Sequence, residues 1–208
     1  PSWISIKKTL KESFDVFLNQ IFPTLYNAFS VLLLGVFCGP VANGLFDAGT
    51  KLVDISQQFL KIISRTFFPF LSRKIDKHTL FSKIYMLFTL IVTLGLIFFA
   101  PFLIPVFFSE EFSESIKVLR LMAISGVFLT MSNIYGTNYL IIIGRERSLR
   151  NLTMYASLLG FVIAIPLIYY GGYMGAVAII VFVRMLLGVG SYLLAYNCKK
   201  NICKKNLL

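Results

Sequence analysis

Histidine occurs once in the 208 residues, at position 78. A metal site or nucleophilic triad built on histidines is thereby excluded. Cysteine occurs three times, at Cys38, Cys198 and Cys203, with neither metal-ligand spacing nor a haem motif. The topology read below puts Cys38 on the opposite side of the membrane from the other two, so no structural disulfide is expected. Acids number only nine, and all charged residues together make up 14% of the chain. Gly39 and Gly44 have the glycine spacing of a phosphate-binding loop, but Leu45 stands where the lysine is needed. With no nucleotide loop, nucleophile constellation or metal cluster, the chain is not read as an enzyme, and no cofactor or metal is expected. No secretory signal pattern is visible. The sequence begins at Pro1 rather than Met, and we expect it to be a piece of a longer protein.

What is present is grease. Hydrophobic residues make up 57%, with 21 Phe and 10 Tyr, and the mean hydropathy is +0.80. Polar surface cannot cover such a chain in water, so the class is all-α integral membrane. The formal charge is +11. In a soluble protein this would suggest nucleic acid, but here the cations fall mostly in short joints between apolar runs, as in a polytopic membrane protein. No nucleic acid is expected as a partner.

A helical span needs about 20 apolar residues, because a rise of ~1.5 Å per residue must cross ~30 Å of hydrocarbon. Six candidates occur, at about 13–37, 45–70, 84–108, 119–143, 152–170 and 173–196. Pro101 and Pro105 are expected to kink the outer third of span three. The joints CGPVANG, SRKIDKH, SEEFSES, GRERSLRN and YGGYMG carry turn chemistry. Residues 1–12 read as a cytoplasmic amphipathic lead-in with Trp3 as interfacial anchor, 13–196 as a six-span lobe, and 197–208 as a basic cytoplasmic tail.

Lys7, Lys8 and Lys11 precede span one. Arg73, Lys74, Lys77 and Lys83 lie between spans two and three. Arg145, Arg147 and Arg150 lie between four and five, and Lys199, Lys200, Lys204 and Lys205 follow span six. These are fourteen of the twenty cations, all on one side. Opposite them, CGPVANG and YGGYMG hold no cation and SEEFSES is acidic; only Lys117 and Arg120 lie near that side. The asymmetry predicts both termini in the cytoplasm.

Span two breaks the apolar rule. Asp47, Lys51, Asp54, Gln58, Lys61 and Arg65 recur at steps of 4, 3, 4, 3 and 4, which at 100° per residue fall within an arc of about 80°. A charge at the bilayer centre costs on the order of 3 kcal/mol even on the lenient insertion scale. The stripe therefore predicts a helix lining a hydrated cavity. A helix lying flat on the surface would scramble the charge asymmetry. Snorkelling of Lys61 and Arg65 accounts for those two but not for Asp54 and Gln58 at mid-depth. Asp47, Lys51 and Asp54 can pair along the helix, leaving Lys61 and Arg65 as an anion-attracting inner vestibule.

Arg184, in the middle of span six, is a second candidate, with an internal salt bridge to Asp54 as the competing explanation. Ser132, Asn133 and Asn138 on span four read as interhelical hydrogen-bonding groups. Gly160, Gly188 and Gly190 read as points of close helix packing.

Several stretches look familiar together. They are GPVANGLFDAGTKLVDI (39–55) with FPFLSR (68–73), PVFFSEEFSESIKVLRLMAISGVF (105–128), SNIYGTNYLIIIGRER (132–147) and PLIYYGGYMGAVA (166–178). In this order they resemble the C-terminal half of a Wzx-type polysaccharide or O-antigen flippase, of the multidrug/oligosaccharidyl-lipid/polysaccharide exporter superfamily. The resemblance implies about twelve spans in two six-helix lobes around a cationic cavity, with these spans as numbers seven to twelve and an N-terminal lobe missing from this chain. It further implies flipping of a polyprenyl-pyrophosphate-linked oligosaccharide from the cytoplasmic to the periplasmic leaflet of the bacterial inner membrane. Membrane lipids and other polysaccharide assembly proteins are the implied further partners. By position, Lys51, Asp54, Lys61 and Arg65 match the cavity group of the eighth span and Arg184 lies on the twelfth. GLFDAG in place of the usual G-Y-Y-x-x-A, and arginine at 184, depart from the family pattern and leave the glycan open.

Without a nucleotide site, energy must come from an ion gradient or downhill flux, and Asp54 is the candidate ion carrier. A cation-coupled drug exporter would favour acids and aromatics in the cavity. A membrane polymerase or glycosyltransferase would need a large outer loop or catalytic acids. Half a transporter, taken alone, cannot alternate access.

Overall fold

The computed structural model describes the backbone of residues 3–205 and the side chains of residues 27–200, with some of those at 13–25. Trp3, Lys7, Lys8, Lys11, Cys203, Lys204 and Lys205 therefore lie outside the described side chains. Apart from short joints the chain is helical: α1 (Trp3–Arg73), α2 (His78–Phe108), α3 (Ser115–Met131), which continues into a π-helix (Ser132–Ile141), and α4 (Glu146–Lys205). Short 3₁₀ turns at Ile75–Lys77 and Glu110–Phe112 occupy two of the joints.

Among the described residues, four helices are long and apolar enough to cross a membrane. The first and last of these, at 47 and 55 residues, would extend for about 70–80 Å if straight, more than twice the hydrocarbon thickness. They are not straight. Gly39 leaves the helical region at φ 80° and ψ 178°, and Gly172 at φ 56° and ψ −140°. Residues with a Cβ rarely adopt such angles. Beyond each break the chain folds back. A methyl group at Gly35 would lie 3.7 Å from Asn43 Nδ2, although eight residues of straight helix span about 12 Å. Likewise, a methyl at Gly175 would strike the backbone of Leu167. So α1 has two arms, 3–38 and 40–73, and α4 has two arms, 146–171 and 173–205. The two reversals are neighbours: Cys38 Sγ lies 3.9 Å from where a Cβ at Gly172 would stand. Both glycines sit within joints that the turn chemistry marked.

The acidic joint shares that end of the bundle. Tyr173 donates a hydrogen bond to Glu114 at 3.0 Å, and Ser115 Oγ to the carbonyl of Leu45 at 2.7 Å. The cationic joints gather elsewhere. His78 Nε2 lies 3.0 Å from the carbonyl of Ile134, and Leu140, Leu149 and Ala195 form one buried cluster with Cys198 against it.

Packing shows which solvent the fold is built for. The buried residues of α2 are His78, Ser82, Tyr85, Thr89, Thr93, Ala100 and Ile104, most of them polar. Its outward face carries Ile84, Leu87, Ile91, Leu94 and Phe98, the last 83% exposed. A helix in water does the reverse. In hydrocarbon, hydroxyls must find partners inside the bundle and large apolar side chains face lipid without cost. The partners are present: Tyr85 donates to the carbonyl of Leu60 at 2.7 Å, and Thr89 meets Thr130 at 3.5 Å. The helix keeps its winding through Pro101 and Pro105, so the expected kink does not interrupt it.

An apolar core with Leu34, Val53, Ile104, Leu119, Ile168 and Val183 draws on all four helices. Close packing comes at two of the glycines expected to supply it, Gly188 and Gly190. A methyl at Gly188 would stand 2.5 Å from the carbonyl oxygen of Phe128, and one at Gly190 2.6 Å from a Leu152 methyl.

Candidate functional site

A cavity of about 660 Å³ opens between both arms of α1, with Thr24 and Asn27 on the first, the end of α3 with its π-helix, and both arms of α4. Asp54, Gln58, Lys61, Arg65 and Arg184 line it. Five of the six side chains proposed from sequence are thus brought to one space. Lys51 is not among the lining residues; it is exposed, one turn from Asp54. The helical period explains the gathering, since 54, 58, 61 and 65 share one face of an uninterrupted α-helix.

Arg184 reaches this face from α4. It is 6% exposed, and Nη1 donates to Ser125 Oγ at 3.0 Å. Ser125 in turn donates to the carbonyl of Met122 at 2.7 Å, which fixes its hydroxyl as an acceptor toward the arginine. Arg184 Nη2 stands 3.8 Å from Asp54 Oδ1. That is an ion pair but not a hydrogen bond. The pair is lopsided, because the Asp54 side chain is half exposed while that of Arg184 is buried. Lys61 is within electrostatic reach of Arg184 and Arg65, with Asp54 as an opposite charge. Among the described residues that line the cavity, three cations stand with one acid, Asp54, and this balance favours an anion.

The sequence reading did not place Gln57 here. By helical period it lies about 40° beyond the edge of the stripe at Lys61, yet it is buried and lines the cavity. Its amide fits because α3 presents Gly126, where a methyl would come within 2.5 Å of Gln57 Nε2. Ser132, Asn133, Thr137 and Asn138 also line the space. Two of these make the interhelical bonds expected of them: Asn138 Nδ2 donates to Ser64 Oγ at 2.7 Å, and the Ser132 and Ser191 hydroxyls meet at 3.4 Å.

Residues 2–75 match the family model described as polysaccharide biosynthesis protein. That segment contains the charged stripe. Over 185 residues, 86% of its length, the chain is 30% identical to a provisionally named O-antigen transporter of Shigella dysenteriae. It is also 23% identical, over 78% of its length, to a protein of the same provisional name from Escherichia coli K12. By sequence the chain is thus similar to proteins of polysaccharide biosynthesis, two of them named for O-antigen transport. Both relatives bear transporter names. The four long apolar helices of the described residues are compatible with a multi-pass membrane protein. The chain spans just under half the length of these relatives, 46% and 41%. No solved structure matches it significantly.

Proposed function

We propose that the chain is one six-span lobe of a flippase that moves a polyprenyl-pyrophosphate-linked oligosaccharide from the cytoplasmic to the periplasmic leaflet for surface polysaccharide assembly. One observation carries this reading. Three cations, Lys61, Arg65 and Arg184, converge on a cavity inside a bundle whose outer face suits lipid. Such a space can hold a pyrophosphate while the polyprenyl tail stays in the bilayer. Lys51 and Gln58 would extend the same face toward the Gly39 end, and Asp54 would be the site of ion coupling. On this reading the glycine reversals would make two spans of each of the two longest helices, six in all. The cationic joints would lie in the cytoplasm with both termini. A second lobe, outside this chain, would complete the cavity.

Deleting the gene in its native host is the direct test. Surface polysaccharide should be lost while lipid-linked oligosaccharide accumulates on the cytoplasmic leaflet. A drug exporter would instead leave the polysaccharide intact and alter drug sensitivity. A polymerase would leave single repeat units at the surface. Either result would overturn the proposal.

A labelling experiment tests the architecture. In the full-length protein, single cysteines at Asp54, Gln58 or Lys61 should react with a membrane-impermeant thiol reagent. Cysteines at buried Val53 and Leu60, or at lipid-facing Ile55 and Ile62, should stay unmodified. Cysteines replacing Lys74 or Lys199 should react only when the cytoplasmic side is exposed. Uniform labelling around the helix would contradict a lined cavity, and labelling of Lys74 from outside would reverse the topology.

A further inference from the structure

Three amides in the cavity carry polar atoms with no hydrogen-bond partner among the described residues: Gln57 Oε1, Asn133 Nδ2 and Asn138 Oδ1. All three side chains line the same space as the cations. A buried polar atom without a partner costs about 1–3 kcal/mol, so three together in one cavity call for an explanation. For Asn138 the orientation is fixed. Its nitrogen is committed to Ser64, which also shares a side-chain hydrogen bond with Tyr85. Asn138 Oδ1 is therefore held as an acceptor.

The backbone brings two of the amides onto one face. In an α-helix, residues five apart point about 140° away from each other. In the π-helix Ser132–Ile141 the i→i+5 bonding sets them on successive turns, one above the other. Asn133 and Asn138 are five apart, and so are Ser132 and Thr137. The π winding thus turns four polar side chains, spread around an α-helix, toward one cavity. Windings of this kind occur frequently at functional sites.

Resting on the proposed flippase reading, we propose that Gln57, Asn133 and Asn138 form a neutral subsite that reads the hydroxyl or N-acyl groups of the sugar adjoining the pyrophosphate. The chemistry favours this class of group. An anion has no use for two carbonyl acceptors, and a metal ion has none for the N–H of Asn133. A sugar both donates and accepts, and each amide offers both functions. Division of labour follows: Lys61, Arg65 and Arg184 hold charge, and the amides discriminate among sugars, since a site built to pair a hydroxyl rejects a group that lacks it.

The test is equilibrium binding of two probes to the purified full-length transporter. One is bare polyprenyl pyrophosphate, and the other is polyprenyl pyrophosphate carrying one hexose or N-acetylhexosamine. Wild type should bind one of the sugar-bearing probes about tenfold or more tighter than the bare one. Gln57→Ala and Asn133→Ala, which leave the Asn138–Ser64 bond in place, should each remove most of that difference and leave the bare probe within about twofold. Asn138→Ala should do the same if it folds; the other two variants decide the matter if it does not. Lys61→Ala and Arg184→Ala should weaken both probes alike. Equal loss on both probes from the amide variants would mean that the amides serve packing, and the subsite would be refuted. So would wild type that binds every probe equally. Wild type that fails to bind bare polyprenyl pyrophosphate would instead overturn the underlying reading of the cavity, and the subsite with it.

Discussion

Arg184→Ala in the full-length protein is expected to abolish surface polysaccharide while the protein remains inserted at near-normal levels. Arg184 is the most deeply buried of the cavity cations. It comes from a different helix than Lys61 and Arg65, so neither can take its place. Its removal leaves Asp54 half exposed to the cavity rather than stranded, which is why insertion should survive. Arg184→Lys should keep part of the activity, because a point charge still attracts phosphate but loses the bidentate fork. Arg65→Ala should be milder. The rival explanation is that Arg184 serves only to neutralise Asp54 across 3.8 Å. Under it, Arg184→Ala combined with Asp54→Asn should restore activity. Complementation of a flippase-null strain, with membrane levels checked by blot, separates the two. Rescue by the double variant would refute the substrate-binding role, and full activity of the single alanine variant would refute both roles. The asymmetry of the pair adds a stability expectation. Asp54→Asn leaves a buried guanidinium with Ser125 alone, and should lower stability by on the order of 1–3 kcal/mol, less than for a fully buried pair. Arg184→Met should cost less. Melting of the purified variants in detergent reads the order directly.

Gly188→Ala should be the most damaging single-methyl change between α3 and α4. The added carbon would stand 2.5 Å from the carbonyl oxygen of Phe128 and 3.0 Å from its Cα. The obstacle is backbone, so the helices must part. Overpacking of this kind costs about 1–3 kcal/mol, and separating these helices also moves Arg184, one turn away. Gly95→Ala is the matched control. Nothing lies within 4 Å of its would-be methyl and its φ is ordinary. Alanine there should be neutral or stabilising by about 0.5–1 kcal/mol, from helix propensity. Melting temperatures of the two variants should therefore move in opposite directions or differ clearly. Equal behaviour would mean that the α3–α4 contact is looser than the structure shows.

The sequence by itself settled the matters that depend on composition and on regular winding. Lipid-facing character follows from the apolar runs. The bends at Gly39 and Gly172 are legible because only glycine adopts those angles readily, and both lie in joints rich in turn residues. The grouping of Asp54, Gln58, Lys61 and Arg65 is legible because that arm keeps the 3.6-residue period throughout. Tertiary structure decided the rest. Lys51 shares the stripe but not the cavity, since neighbouring helices, rather than the period, determine where a cavity ends. Gln57 is off the stripe yet inside, because Gly126 on another helix makes room for its amide. The polar inner face of α2 has meaning only once its partners Leu60 and Thr130 are in place. The alignment of Asn133 with Asn138 depends on a π winding, which changes the angle per residue and so puts side chains on a common face that no α-helical reading could assign to them.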